Sequence, residues 1–155
     1  MTIRAFIDGD QPAFRRLNEE WITRYFAMEG KDEHSLEHPE RTILEPGGRI
    51  YFACIEGEPV GCCAMMAIGP GEFEVAKMAV AESRQGLGIG RRLLDHVIAE
   101  AASMGARRLY LETNRSLGAA IHLYETVGFQ HLPPDKVVPS PYARANVYME
   151  MRIGG

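Results

Sequence analysis

A chain of 155 residues with 46% apolar and 25% charged side chains has room for one packed core and lacks the composition of a disordered segment. Its net charge of −4 speaks against a broad nucleic-acid surface, and no apolar run is long enough to span a bilayer. Cys54, Cys62 and Cys63 are odd in number and lack CxxC spacing, which argues against a disulfide framework or a zinc site.

The N-terminal stretch "MTIRAFIDGD" carries acids where a signal peptide needs a long apolar run, so a cytoplasmic protein with free thiols is expected. "TIRAFI" alternates as a short strand. The helix that follows has Pro12 in its first turn and Phe14, Leu17, Trp21, Ile22 and Tyr25 at helical spacing. A second helix is predicted around Asp32 to Leu44, short or broken because of Pro39, and "EPGG" closes it with a turn.

"RIYFACIE", "PVGCCAMMAI" and "EFEVAKMAV" read as three strands joined by hairpin-type links, which makes them antiparallel neighbours. A helix from about Gly88 to Met104 presents Ile89, Leu93, Leu94, Val97, Ile98 and Ala101 on one face. In "ARRLYLET", Leu109 and Leu111 fall on one side of a strand, Tyr110 and Glu112 on the other. A further helix, capped by Asn114 or Ser116, ends at Gly128 with Ala120, Tyr124 and Val127 on one stripe. A proline-rich loop then leads to a closing strand from about Ala143 to Ile153. With no repeats or linkers, residues 1–155 are expected to form a single α/β (α+β) domain, a mixed sheet with helices packed on it.

Gly86, Gly88 and Gly90 stand where a turn runs into a helix, a place where backbone amides and the helix dipole suit a phosphate. A Walker loop requires Lys-Ser/Thr after its last glycine, but Arg91 and Arg92 follow here. The Rossmann pattern places Arg91 where a small residue must pack, and antiparallel hairpins precede the loop. A glycine turn serving geometry alone is the remaining alternative from the loop by itself.

"KMAVAESRQGLGIGRRLL" resembles the acetyl-coenzyme A loop of the GNAT N-acetyltransferases, with Gln85, Gly88 and Gly90 filling the signature. "LETNRSLGAAIHLYETVGF" resembles the second family segment, and the similarity extends from about Glu72 to Gln130. The resemblance implies the GNAT fold, a mostly antiparallel twisted sheet of about seven strands with about four helices. It also implies transfer of acetyl from acetyl-coenzyme A to an amine, without a metal, by direct attack in a ternary complex. Cofactor contacts would fall to the backbone of Met78, Ala79 and Val80, and to Gln85, Gly86, Leu87, Gly88, Ile89, Gly90 and Arg91 around the pyrophosphate.

Asn114 matches a position beside the cofactor arm, although an N-cap role explains it equally well. Tyr124 matches the tyrosine that protonates the departing thiolate, and it also fits the buried stripe of its helix. Glu74 stands where the family frequently has its general base. It shares a strand face with Ala76, Met78 and Val80, apolar neighbours that raise a carboxyl pKa toward a useful value. Glu72 is the reserve on that face, and a solvated strand-end carboxylate is the plainer reading of both.

For the acceptor, Glu29 in the acidic segment with Asp32, Glu33 and Glu37 could attract a cationic amine. Tyr142 and Arg144 enter the last strand, where the arginine could pair with a substrate carboxylate. A small-molecule amine of amino acid, polyamine or amino sugar type is the leading acceptor. A protein or peptide amine comes second, and a non-catalytic acetyl-coenzyme A sensor is the alternative from another class. Apolar residues in the last strands suggest that two copies pair.

Overall fold

The computed structural model describes residues 1–154. Its seven strands are β1 (Thr2–Ala5), β2 (Arg49–Ile55), β3 (Glu58–Gly69), β4 (Glu72–Val80), β5 (Arg108–Thr113), β6 (Gln130–His131) and β7 (Val147–Arg152). They form one sheet in the order β1-β2-β3-β4-β5-β7-β6. Only β4 and β5 run parallel; every other neighbouring pair is antiparallel. The helices are α1 (Gln11–Tyr25), α2 (Gly30–Glu37), α3 (Ile89–Ser103) and α4 (Gly118–Val127).

The hairpin links work as their residues dictate. Glu56 and Gly57 both take positive φ between β2 and β3, the twist of a tight two-residue turn. Two cores result, one on each face of the sheet. Leu93, Leu94 and Val97 of α3 pack with Tyr124 of α4 and with Val75, Leu109, Leu111 and Met149 of the sheet. On the other face, Phe14, Leu17 and Ile22 of α1 and Leu36 of α2 pack against Ile50, Phe52, Cys62 and Ala64.

Helix α2 ends before Pro39, where the proline predicts a break, and Glu40–Leu44 beyond it forms one wide helical turn closed by the Glu45 amide on the Glu40 carbonyl. Two expectations about the ends of elements need correction. The closing strand is shorter than expected because Asn146 and the residues before it belong to a loop. Helix α4 starts at Gly118 with Leu117 as its N-cap, so neither Asn114 nor Ser116 caps it. The Asn114 side chain instead accepts the Ser116 amide at 2.9 Å and donates to the Arg144 carbonyl at 2.6 Å, clamping this turn to the final loop. In β7, which lies between β5 and β6, Met149 and Met151 are buried and pack into the core.

A bulge in β4 matters most for the site. The register steps from Cys62↔Ala79 to Ala64↔Ala76, leaving one residue too many on β4, and Lys77 there has a φ of 54°. An extra residue reverses the alternation of side chains beyond it. Met78 and Val80 therefore pack with the α3 core, whereas Glu74 and Ala76 face α1 and α2. The expectation that Glu74 shares a face with Met78 and Val80 fails for this reason.

Candidate active site

The parallel pairing of β4 with β5 is brief, joining Glu72, Phe73 and Glu74 to Arg108, Leu109 and Tyr110. Beyond Glu74 the two strands diverge, β4 staying with β3 and β5 with β7. A cavity of about 530 Å³ opens in the gap. One wall is the edge of β4 from Glu74 to Val80, and the opposite wall is Glu112 to Asn114 with α4. An unpaired strand edge of this kind offers amide donors and carbonyl acceptors to an extended ligand.

The split is open to both faces of the sheet, so groups from two cores meet in it. Glu74 and Glu112 line it from the α1 and α2 side. Burial, with the Glu112 carboxylate close by and Lys77 only partly offsetting it, pushes the Glu74 carboxyl up to about 7. The pKa rises as expected, through burial first and the Glu112 carboxylate second. Tyr124 lines the cavity from α4, 9% exposed. Its burial raises the phenol well above its ordinary value, so the hydroxyl keeps its proton at neutral pH.

The three expected acceptor residues converge on one knot. Arg144 donates to both oxygens of Asp32, at 2.7 and 2.6 Å, and to Glu29 at 3.4 Å. Lys77 donates to Asp32 at 2.8 Å and lies 3.3 Å from the Tyr142 hydroxyl. Both cations also flank the Tyr142 ring. Glu29 is the N-cap of α2 in a capping box, and its amide donates to Asp32 at 3.0 Å. Burial alone would raise the Asp32 carboxyl; hydrogen bonds from Arg144 and Lys77 outweigh it and hold the group at about 2. Tyr142 and Arg144 line the cavity, while Glu29 stands behind them. Arg144 thus has a protein carboxylate where a substrate carboxylate was expected.

The glycine loop lies beyond one end of the cavity, which Gln85 still lines. Gly86 and Gly88 have φ of 82° and 78°, values at which a side chain is strained. The amides of residues 86–91 reach no protein acceptor among the described residues, and they sit at the N-terminus of α3, where its dipole is positive. Arg91 is turned toward Asp95 at 3.1 Å. Donor edge, gap and amide cradle follow one another along β4 into α3. This arrangement fits an extended, phosphate-bearing cofactor.

Over residues 14–129 the chain matches the acetyltransferase (GNAT) family. The chain belongs to that family. It is 28% identical over 130 residues to the uncharacterized N-acetyltransferase YjgM of Escherichia coli K12, covering 79% of this chain and 78% of the relative. It is 33% identical over 98 residues to the ribosomal protein bS18 alanine N-acetyltransferase of the same organism, covering 62% of this chain and 66% of the relative. In fold it is similar to a GNAT-family acetyltransferase of Staphylococcus aureus Mu50, with a TM-score of 0.87 at 20% identity over 97% of this chain and 98% of that one. This member of the family is therefore an N-acetyltransferase, and acetyl-coenzyme A is its co-substrate.

Glu112 and Lys77 had no role in the sequence reading. Glu112 was on the right face of β5, but its approach to Glu74 depends on two strands separated by a whole helix. The signal for Lys77 was a lone lysine inside an otherwise apolar half-strand, "VAKMAV". No group of three or more His, Cys, Asp or Glu side chains able to hold a metal occurs among the described residues.

Proposed function

We propose that this acetyltransferase acts on the primary amine of a small molecule, which attacks the thioester directly. The observation that carries the reading is that Glu74 and Tyr124 enter one cavity from opposite faces of the sheet, on either side of the β4 edge. The β4 edge from Met78 to Val80 would hold the pantetheine arm, with Gln85 to Arg91 around the pyrophosphate and Asn114 fixing the opposite wall. Glu74, with a pKa of about 7, accepts the proton that an incoming ammonium must lose. Tyr124 donates its phenolic proton to the coenzyme A sulfur as charge builds there. A backbone amide near Ala79 polarises the thioester carbonyl.

Direct attack also agrees with the state of the cysteines. Cys62 and Cys63 are fully buried, and burial drives the Cys62 thiol up to about 12, so neither is a ready nucleophile. Turnover of acetyl-coenzyme A against a panel of amines tests the reading. Acetylation of a soluble amine that is lost in Glu74→Gln and Tyr124→Phe supports it; a panel without any acceptor despite cofactor binding defeats it. The relationship to the bS18 alanine enzyme favours one second reading, a peptide N-terminus as acceptor. Faster acetylation of an alanine-starting peptide than of any free amine would select it.

A further inference from the structure

This inference rests on the acetyl-transfer reading above and concerns the charge of the acceptor. The cavity wall contains two cations, Lys77 and Arg144, and both are already bound to Asp32, a carboxylate with no exposed surface. Glu29 adds a second anion to Arg144. The Tyr142 ring is likewise occupied, with Lys77 at 4.9 Å and Arg144 at 4.6 Å from its centre. A substrate carboxylate would meet no uncommitted positive charge here.

The opposite sign is uncommitted. Among the described residues neither Glu74 nor Glu112 has an ion-pair partner, and both line the cavity. The Glu112 oxygens receive only neutral donors, the Tyr110 hydroxyl at 2.9 Å and the Ser140 hydroxyl at 2.6 Å. Those bonds aim the carboxylate without cancelling its charge. Glu74 stands opposite Tyr110 in the parallel register and Glu112 is two positions further along β5. The spacing across the Glu74–Tyr110 pair and the rise of two residues along the diverging β5 together separate their backbones by roughly 8–11 Å.

We propose that the acceptor is a diamine: while Glu74 faces the reacting nitrogen, Glu112 holds a second positive charge a short alkyl spacer away. An acceptor with a carboxylate in that place is rejected by like-charge repulsion. Trp21 and Phe26, edge to face at 6.2 Å, also line the cavity and add apolar surface for the spacer.

Three short-chain probes isolate the second charge: putrescine is positive there, butylamine neutral and γ-aminobutyrate negative. With acetyl-coenzyme A saturating, kcat/KM for putrescine is expected to exceed that for butylamine by at least about tenfold, and γ-aminobutyrate to fall below butylamine. In Glu112→Gln the advantage of putrescine over butylamine disappears, through KM. If that variant misfolds, ionic strength on the unaltered protein gives the same information, because the putrescine advantage must shrink as salt rises. Equal rates for the three probes, or preference for γ-aminobutyrate, overturn the charge inference and leave acetyl transfer standing. If none is acetylated while acetyl-coenzyme A binds, the small-amine reading itself fails and this inference fails with it.

Discussion

At the scale of single residues, the pKa of Glu74 makes a kinetic and a thermodynamic prediction. As a base with a value of about 7 it must be ionised, so kcat/KM should climb with pH and level off above that point. Glu74→Gln should lose roughly 10²–10⁴-fold in kcat and flatten the profile, as measured by initial rates from acid to mildly alkaline pH. For stability the sign is opposite. The folded value lies above the ordinary 4.5, so the folded state binds this proton more tightly than the unfolded chain does. Its stabilising effect is complete below 4.5 and is lost as pH rises through about 7. Thermal melts near ~pH 8 should therefore find Glu74→Gln more stable than the parent by on the order of 1–3 kcal/mol, with no such gain in acid. Tyr124→Phe should lower kcat about a hundredfold with little change in melting temperature, since a ring of the same shape still packs against Phe129.

Elements bring their own constraints. Gly88 begins α3 in the left-handed region with open space where a Cβ would be, so Gly88→Ala suffers from backbone strain rather than collision. A loss of about 1–2 kcal/mol and a several-fold rise in the KM for acetyl-coenzyme A are expected, from denaturant melts and initial rates. Gly48 differs in kind. A Cβ there would lie 2.6 Å from the Ile43 carbonyl oxygen and closer still to that of Met65, so Gly48→Ala should cost about 1–3 kcal/mol through overpacking, leaving the site chemistry intact. Most elements could be read from sequence because periodicity and turn residues are local signals. Strands β2 to β4, their hairpins, α1 and α3 all follow from spacing of this type. What escaped was the bulge at Lys77, because a strand's register depends on its partner and no residue in "EFEVAKMAV" marks the slip. The start of α4 escaped for a similar reason: Asn114 has a cap's chemistry but is drawn across the molecule to Arg144.

Over the whole molecule, Asp32 ties together α2, the β4 bulge and the loop before β7. Burying a carboxylate with two cations is costly to undo, so Asp32→Asn should lose about 3–5 kcal/mol in chemical denaturation. Because its folded value of about 2 lies below the ordinary 3.8, this contribution is full above 3.8 and disappears as pH falls toward 2. Acid unfolding should thus steepen in that window, and the variant should lack that step. By itself the sequence determined the family, the succession of elements and the glycine turn before α3, and it pointed to Glu74 and Tyr124 as candidates, because each depends on residues close together along the chain. Only the tertiary structure decided that β4 and β5 part after Glu74, that Glu112 reaches the same cavity, and that Arg144 is already held by Asp32. Those facts join residues far apart in the chain, and contacts of that kind are set by how sheet edges, bulges and buried charges are satisfied together in space.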